Sequence, residues 1–299
     1  MKRIRLRLRA HRAAKAKDAG RPAKRAHSPV RERGGRPRTQ GFAALCGTLA
    51  ILTATVTALS AEAEIAQKGN LRVKVDGKLK PKKLPRKGTA PIAVSVGGKI
   101  STTDATLPPQ LKTLRIELNR NGKLDYAGLP TCKFNRIQPG SSTRALSACR
   151  SSLVGKGSFT ANITLAGQEP YPTRGRLLVF NSRRGRKPVL YGHIYSPKPF
   201  ATSFVIVFKV QRLRKGTYGT ALNAPLPKAM DAWGRLTGLD MTLSRRYSHK
   251  GRRHSYLSSG CPAPRGFPGA VFPLARTSFA FDGGPKLTST LSSTCKARG

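Results

Sequence analysis

Phe204-Val205-Ile206-Val207-Phe208-Lys209-Val210 decides how the rest of the chain folds. In an extended chain Phe204, Ile206, Phe208 and Val210 share one face, and Val205 and Val207 share the other. A strand that is apolar on both faces is covered on both, which places it inside a sheet and not at an edge.

The same two-residue period continues outward from this stretch. Leu190, Gly192 and Ile194 alternate with Tyr191, His193 and Tyr195, and Leu177 to Phe180 is a short continuous apolar run. Phe159, Ala161, Ile163 and Leu165 line one face, as do Leu239, Met241 and Leu243. Ile92, Val94 and Val96 begin the pattern, and Leu114, Ile116 and Leu118 precede Asn121-Gly122, a dipeptide favoured in hairpin turns. At the end of the chain, Phe279 and Phe281 point inward before the turn Asp282-Gly283-Gly284-Pro285. Leu287, Ser289, Leu291 and Cys295 form the return face. Strand signals about every 12 to 15 residues predict a sandwich or barrel. Only residues 140–151 favour a helix, with Ser142 or Thr143 as cap. The expected fold is all-β: a β-sandwich-like single domain over 90–299 with one short helix.

What precedes this domain is different in kind. Residues 42–63 are the one long apolar run, preceded by a basic segment and ending in small residues at Ala58-Leu59-Ser60 and Ala61-Glu62-Ala63. This is the form of a signal peptide with cleavage near Ala61 or Glu64, the alternative being an uncleaved anchor. Residues 1–41 are rich in Arg and Lys and poor in apolar side chains, the composition of a disordered leader. They read either as a nucleic-acid-binding arm or as an overlong n-region discarded after export. Residues 64–89, with Lys78-Leu79-Lys80-Pro81-Lys82-Lys83, read as an extended Lys-rich arm.

Cysteine use agrees with export to the cell envelope or beyond. Cys46 lies in the leader, and Cys132, Cys149, Cys261 and Cys295 form an even set. Of three connectivities, Cys132 with Cys149 and Cys261 with Cys295 join neighbours in sequence. No C-x2-C spacing or nearby His suggests a metal site. No cofactor motif is present, because Gly155-x-Gly157 lacks the rest of a phosphate loop.

The strings Gly128-Leu129-Pro130-Thr131-Cys132, Ser152-Leu153-Val154-Gly155-Lys156-Gly157, Tyr218-Gly219-Thr220 and Ser255-Tyr256-Leu257-Ser258-Ser259-Gly260-Cys261-Pro262-Ala263-Pro264, with the late Cys295, resemble a family of exported actinobacterial β-rich proteins with no assigned activity. The resemblance covers about residue 85 to the end. It implies export and a single domain, and it brings no functional residues.

From residue 64 onward the chain has 42 Lys and Arg against 9 Asp and Glu, a net of +33. Such an excess repels itself unless an anionic partner is near. Outside a cell the candidates are wall polymers, anionic lipid head groups, acidic polysaccharide and stray nucleic acid, the last a partner that belongs to another compartment. Two basic clusters carry interleaved tyrosines, which suit phosphates and stacked rings. One holds Arg183, Arg184, Arg186 and Lys187, followed by Tyr191 and Tyr195; the other holds Arg245, Arg246, Lys250, Arg252 and Arg253 with Tyr247 and Tyr256. Catalysis has less to stand on. Glu117 and Asp240 fall on the polar side of their strands, no G-x-S-x-G elbow is present, and His249 and His254 sit in a basic loop. The expected function is therefore a non-catalytic protein that binds anionic polymer. The alternative is a secreted carbohydrate-active hydrolase, which requires two carboxyls within about 10 Å in a cleft.

Overall fold

The computed structural model describes residues 63–230 and 234–298. The expectations for residues 1–62, leader and export signal, lie outside them. The strands begin with β1 (Glu64–Lys68), β2 (Leu71–Lys80), β3 (Lys83–Pro85), β4 (Ala90–Pro91), β5 (Ala93–Thr102), β6 (Leu111–Asn119) and β7 (Gly122–Leu124). After helix α1 (Ser142–Cys149) come β8 (Leu153–Ile163), β9 (Tyr171–Arg184), β10 (Lys187–Ser196), β11 (Thr202–Arg212), β12 (Tyr218–Pro225) and β13 (Gly234–Leu243). The chain closes with β14 (Arg246–His249), β15 (Arg252–Ser255), β16 (Leu257–Ser259), β17 (Gly269–Phe281) and β18 (Lys286–Arg298). One thirteen-stranded sheet runs in the order β1-β2-β5-β13-β8-β9-β10-β11-β12-β6-β17-β18-β3. All its pairings are antiparallel except β18 with β3. Two small sheets, β14-β15 and β4-β16-β7, stand beside it.

The stretch at 204–210 is β11, in the interior of the sheet and covered on both faces. Ile206 and Phe208 enter the main core, while Val205 and Val207 pack into a second cluster on the opposite face. That cluster also takes Leu178 and Phe180 from β9, Val189 and Tyr191 from β10, and Ile137, Ala145 and Cys149 from the segment carrying α1. This explains the continuous run Leu177 to Phe180, whose Leu177 and Val179 belong to the main core instead. Ser141 caps the helix by accepting the Arg144 N–H at 3.2 Å, one residue before the expected cap. The Cys132–Cys149 disulfide fastens the helix to the preceding loop, and Cys261–Cys295 closes the other expected pair. Both fit an oxidising compartment.

The layers of the expected sandwich are the two ends of one continuous sheet that curls over a shared core. A Cβ added at Gly77 in β2 would lie 2.8 Å from Leu291 in β18, and one at Gly98 in β5 would lie 3.3 Å from Phe279 in β17. Close strand approach also explains Gly157. A Cβ there would fall 1.7 Å from the Asp240 carbonyl oxygen, so only glycine lets β13 pass β8 at this distance.

Two expectations are corrected. Residues 64–89 are no detached arm, because β2 pairs with β5 from Leu71↔Thr102 to Lys80↔Ala93. Leu71, Val73, Val75 and Leu79 point inward, each at most 3% exposed, while Arg72, Lys74, Lys78 and Lys80 point to solvent. Burial of such side chains is worth about 1.5–3 kcal/mol each, which outweighs the mild repulsion of solvated lysines. Asn121-Gly122 does turn the chain, but β7 then pairs with β16. Both edges of β6 are already taken by β12 and β17.

Candidate functional site

The second basic cluster forms the hairpin β14–β15. Its turn is Lys250-Gly251, with φ of 49° and 71°, the left-handed pair that two-residue hairpin loops require. Arg246 faces Ser255, Tyr247 faces His254, Ser248 faces Arg253 and His249 faces Arg252. Alternation therefore divides the hairpin into a face carrying Tyr247, His249, Arg252 and His254, so that Arg252 lies away from the other arginines, and a face carrying Arg246, Ser248, Arg253 and Ser255.

The first face is fastened to the loop after β7. Tyr247 and His254 stack with ring centres 5.3 Å apart, and His249 meets His254 edge-on at 6.0 Å. The His254 Nδ1–H donates to Asp125 Oδ2 at 2.9 Å, while the Ala127 N–H donates to Asp125 Oδ1 at 3.0 Å. Burial alone would raise the Asp125 carboxyl, but these bonds and the imidazole charge hold it below the ordinary carboxylate range. The Tyr247 hydroxyl donates to the Ala127 carbonyl at 2.9 Å. Burial, and then the Asp125 charge, push the Tyr247 hydroxyl up to about 12. Gly128 is bare for a reason: a Cβ would fall 2.1 Å from the His249 ring.

The second face is open. Arg246, Ser248, Arg253 and Ser255, with Pro91 and the edges of Tyr247 and His254, line a recess of about 470 Å³. A neighbouring recess of about 170 Å³ shares Pro91, Arg246 and Ser255 and adds Lys80 and Arg245 among its walls. Together the two linings hold four cations, Lys80, Arg245, Arg246 and Arg253, and no Asp or Glu. The Arg245 Nε is shielded from solvent and has no hydrogen-bond partner. Convergent guanidinium groups of this kind match the oxygens of phosphate, sulfate or carboxylate.

Not every residue of the two clusters reaches this surface. Tyr256 is 1% exposed and belongs to the core, so it is removed from the binding set. Lys250 sits at the hairpin turn. Arg183, Arg184, Arg186 and Lys187 are exposed around Gly185 at the β9–β10 turn, but Tyr191 is buried under the Phe134 ring, 5.8 Å away. That turn presents charge without an aromatic wall. Lys80 and Asp125 were not among the candidates read from the sequence, and His254 was noted only as part of a basic loop. Lys80 was hidden in the apparent arm, and Asp125 meets His254 only through the pairing of β7 with β16.

Carboxylates also differ from expectation. Glu117 is buried, not solvated, between Arg115 at 2.9 Å and Arg276 at 2.6 Å. Burial would raise it, and the two guanidinium groups more than offset that. Asp76 and Asp240 do come together: their Oδ1 atoms lie 3.1 and 2.3 Å from where a Gly97 Cβ would sit. Burial, and then the Asp76 charge, raise the Asp240 carboxyl. This pair stands on the exposed outward face of the sheet, not in a cleft.

No known protein family, curated protein or solved structure matches this chain. The strings that resemble an exported family have visible places in the structure. In this fold they serve packing, with Gly155 and Gly157 under β13 and Cys261 tied to Cys295. Among the described residues no helix is long and apolar enough to cross a membrane.

Proposed function

We propose that this is an exported, non-catalytic protein of the cell envelope or exterior that binds anionic polymer through its basic surface, with the recess beside β14–β15 as the principal contact. One observation carries the proposal: Lys80, Arg245, Arg246 and Arg253 line two neighbouring recesses that share Pro91, Arg246 and Ser255, with no acidic side chain in either lining. Two of the acids are already paired with cations. Glu117 is held by two arginines, and Asp125 by His254. Tyr247 and His254 add ring edges against which a sugar can lie. The two disulfides support export, because such bonds persist in oxidising surroundings.

The test is retention of the full chain on an immobilised phosphate-rich wall polymer, or on heparin, as salt is raised. Binding through several cations falls steeply with ionic strength. Retention that does not change between low and high salt would overturn the proposal.

A further inference from the structure

The Cys-Pro-Ala-Pro loop at 261–264 plays no part in the recess, yet it is fastened at several points. Cys261 is bonded to Cys295, and the Cys261 N–H donates to the Pro85 carbonyl at 2.9 Å. The Arg86 guanidinium donates to three of its carbonyls: Ala263 at 2.9 Å, Phe267 at 2.8 Å, and Pro264. The Ala297 N–H holds the Pro268 carbonyl at 2.8 Å. All of this fixes a loop in which Phe267 is 61% exposed, two residues before β17, whose Val271 is 66% exposed. Exposed apolar side chains are ordinary on mobile loops; here the backbone beneath them is clamped, so their ordering cost is met before any partner arrives.

The charge around them has one sign. Residues 82–90, 261–273 and 292–298, which build this corner, contain seven Lys and Arg and no Asp or Glu. Lys83 of β3 and Lys296 of β18 are register partners, and Gly269 faces Lys296 from the other side. Val271, two residues on, therefore shares their outward face. Like charges directly opposite one another destabilise a sheet unless an anion lies over them.

We propose that this corner docks on an anionic lipid bilayer, Phe267 and Val271 entering the boundary between headgroups and acyl chains while Lys83, Lys296 and Arg265 meet lipid phosphates. A soluble polyanion matches the charge but leaves two apolar side chains in water; a bilayer surface matches both. This contact is separate from the recess beside β14–β15 and does not depend on it.

The test uses the full chain with Trp233→Phe and Phe267→Trp, so that the single indole reports on the corner. It is added to vesicles of phosphatidylglycerol with phosphatidylcholine, and to phosphatidylcholine alone. On the anionic vesicles the emission shifts to the blue and is quenched by brominated lipid. A Trp placed instead at Tyr171, 41% exposed and remote from the corner in sequence, does not respond. Lys83→Glu with Lys296→Glu raises the lipid concentration needed for the shift tenfold or more, at about 1 kcal/mol per surface charge. Because the readout sits at residue 267, attachment through any other part of the chain does not move it. An indole at 267 that stays unshifted on vesicles that sediment the protein overturns the proposal, as does an equal shift on neutral lipid. A shift that grows with protein concentration in the absence of vesicles assigns the corner to a second copy, and overturns it too.

Discussion

His193 lies in β10 with no exposed surface, its Nε2 3.0 Å from the Gly140 carbonyl and its Nδ1 unpartnered. The first nitrogen therefore carries the hydrogen and the ring is neutral. Burial lowers its affinity for a proton below the ordinary value of 6.5, the Gly140 contact opposing only in part. Above that pH neither folded nor unfolded chain is protonated here. Below it the unfolded chain binds a proton that the folded one resists, so stability falls as pH drops through 6.5. The melting temperature is expected to fall more between pH 7.5 and 5 in the parent than in His193→Gln, and equal slopes would contradict the assignment. Gly157 offers a second residue-scale prediction. Gly157→Ala must push β8 away from Asp240 and should cost about 1–3 kcal/mol in urea unfolding. Gly167→Asn, at a left-handed position with open space around it, should cost far less. At this scale the sequence was least legible. Glu117 stood on the polar face of its strand and Tyr256 at the end of a basic cluster, yet both are buried, because strands distant in the chain close over them.

Elements were easier to read, for a physical reason: a strand writes its two faces into adjacent residues. β11 was legible because its apolar set recurs without interruption, and the adjoining ends of β17 and β18 because a glycine-rich turn joins two apolar rows. β2 carries the same signal in Leu71, Val73, Val75 and Leu79, but the lysines between them and Gly77 within the apolar row gave it the look of an arm. Those lysines are simply its wet face. Val75→Asp, which places a charge where Val75 is wholly buried, should abolish cooperative thermal unfolding, whereas Lys74→Gln should change the midpoint little. The helix tests differently. Cys132→Ser with Cys149→Ser opens a crosslink of sequence separation 17 and should cost about 3 kcal/mol in the chain-entropy model. Amide exchange should rise over 132–149 while β17 and β18 stay protected. Uniform exchange across the chain would mean that α1 is no separate cap on the second cluster.

For the whole molecule, periodicity identified strands but not their neighbours. The sheet brings β13 between β5 and β8, and β6 between β12 and β17, pairings between segments far apart in sequence. No two-residue pattern records such partners, so the all-β class was legible and the continuous curled sheet was not. The recess has the same origin. Arg246 and Arg253 were visible as a basic cluster, but Lys80 and Pro91 reach them only through the fold.

Bulk charge and a shaped site make different claims, and one comparison separates them. Arg246→Gln with Arg253→Gln and Arg183→Gln with Arg184→Gln remove equal charge, the first pair from the recess and the second from the open β9–β10 turn. The decisive measurement is the dissociation constant of each full-length variant for one soluble phosphate-rich polymer, taken across a salt series. A recess that grips the polymer predicts that the first pair loses about tenfold or more in affinity and about two from the slope of log affinity against log salt, while the second stays close to the parent. Equal losses in the two variants, or none in either, would contradict it.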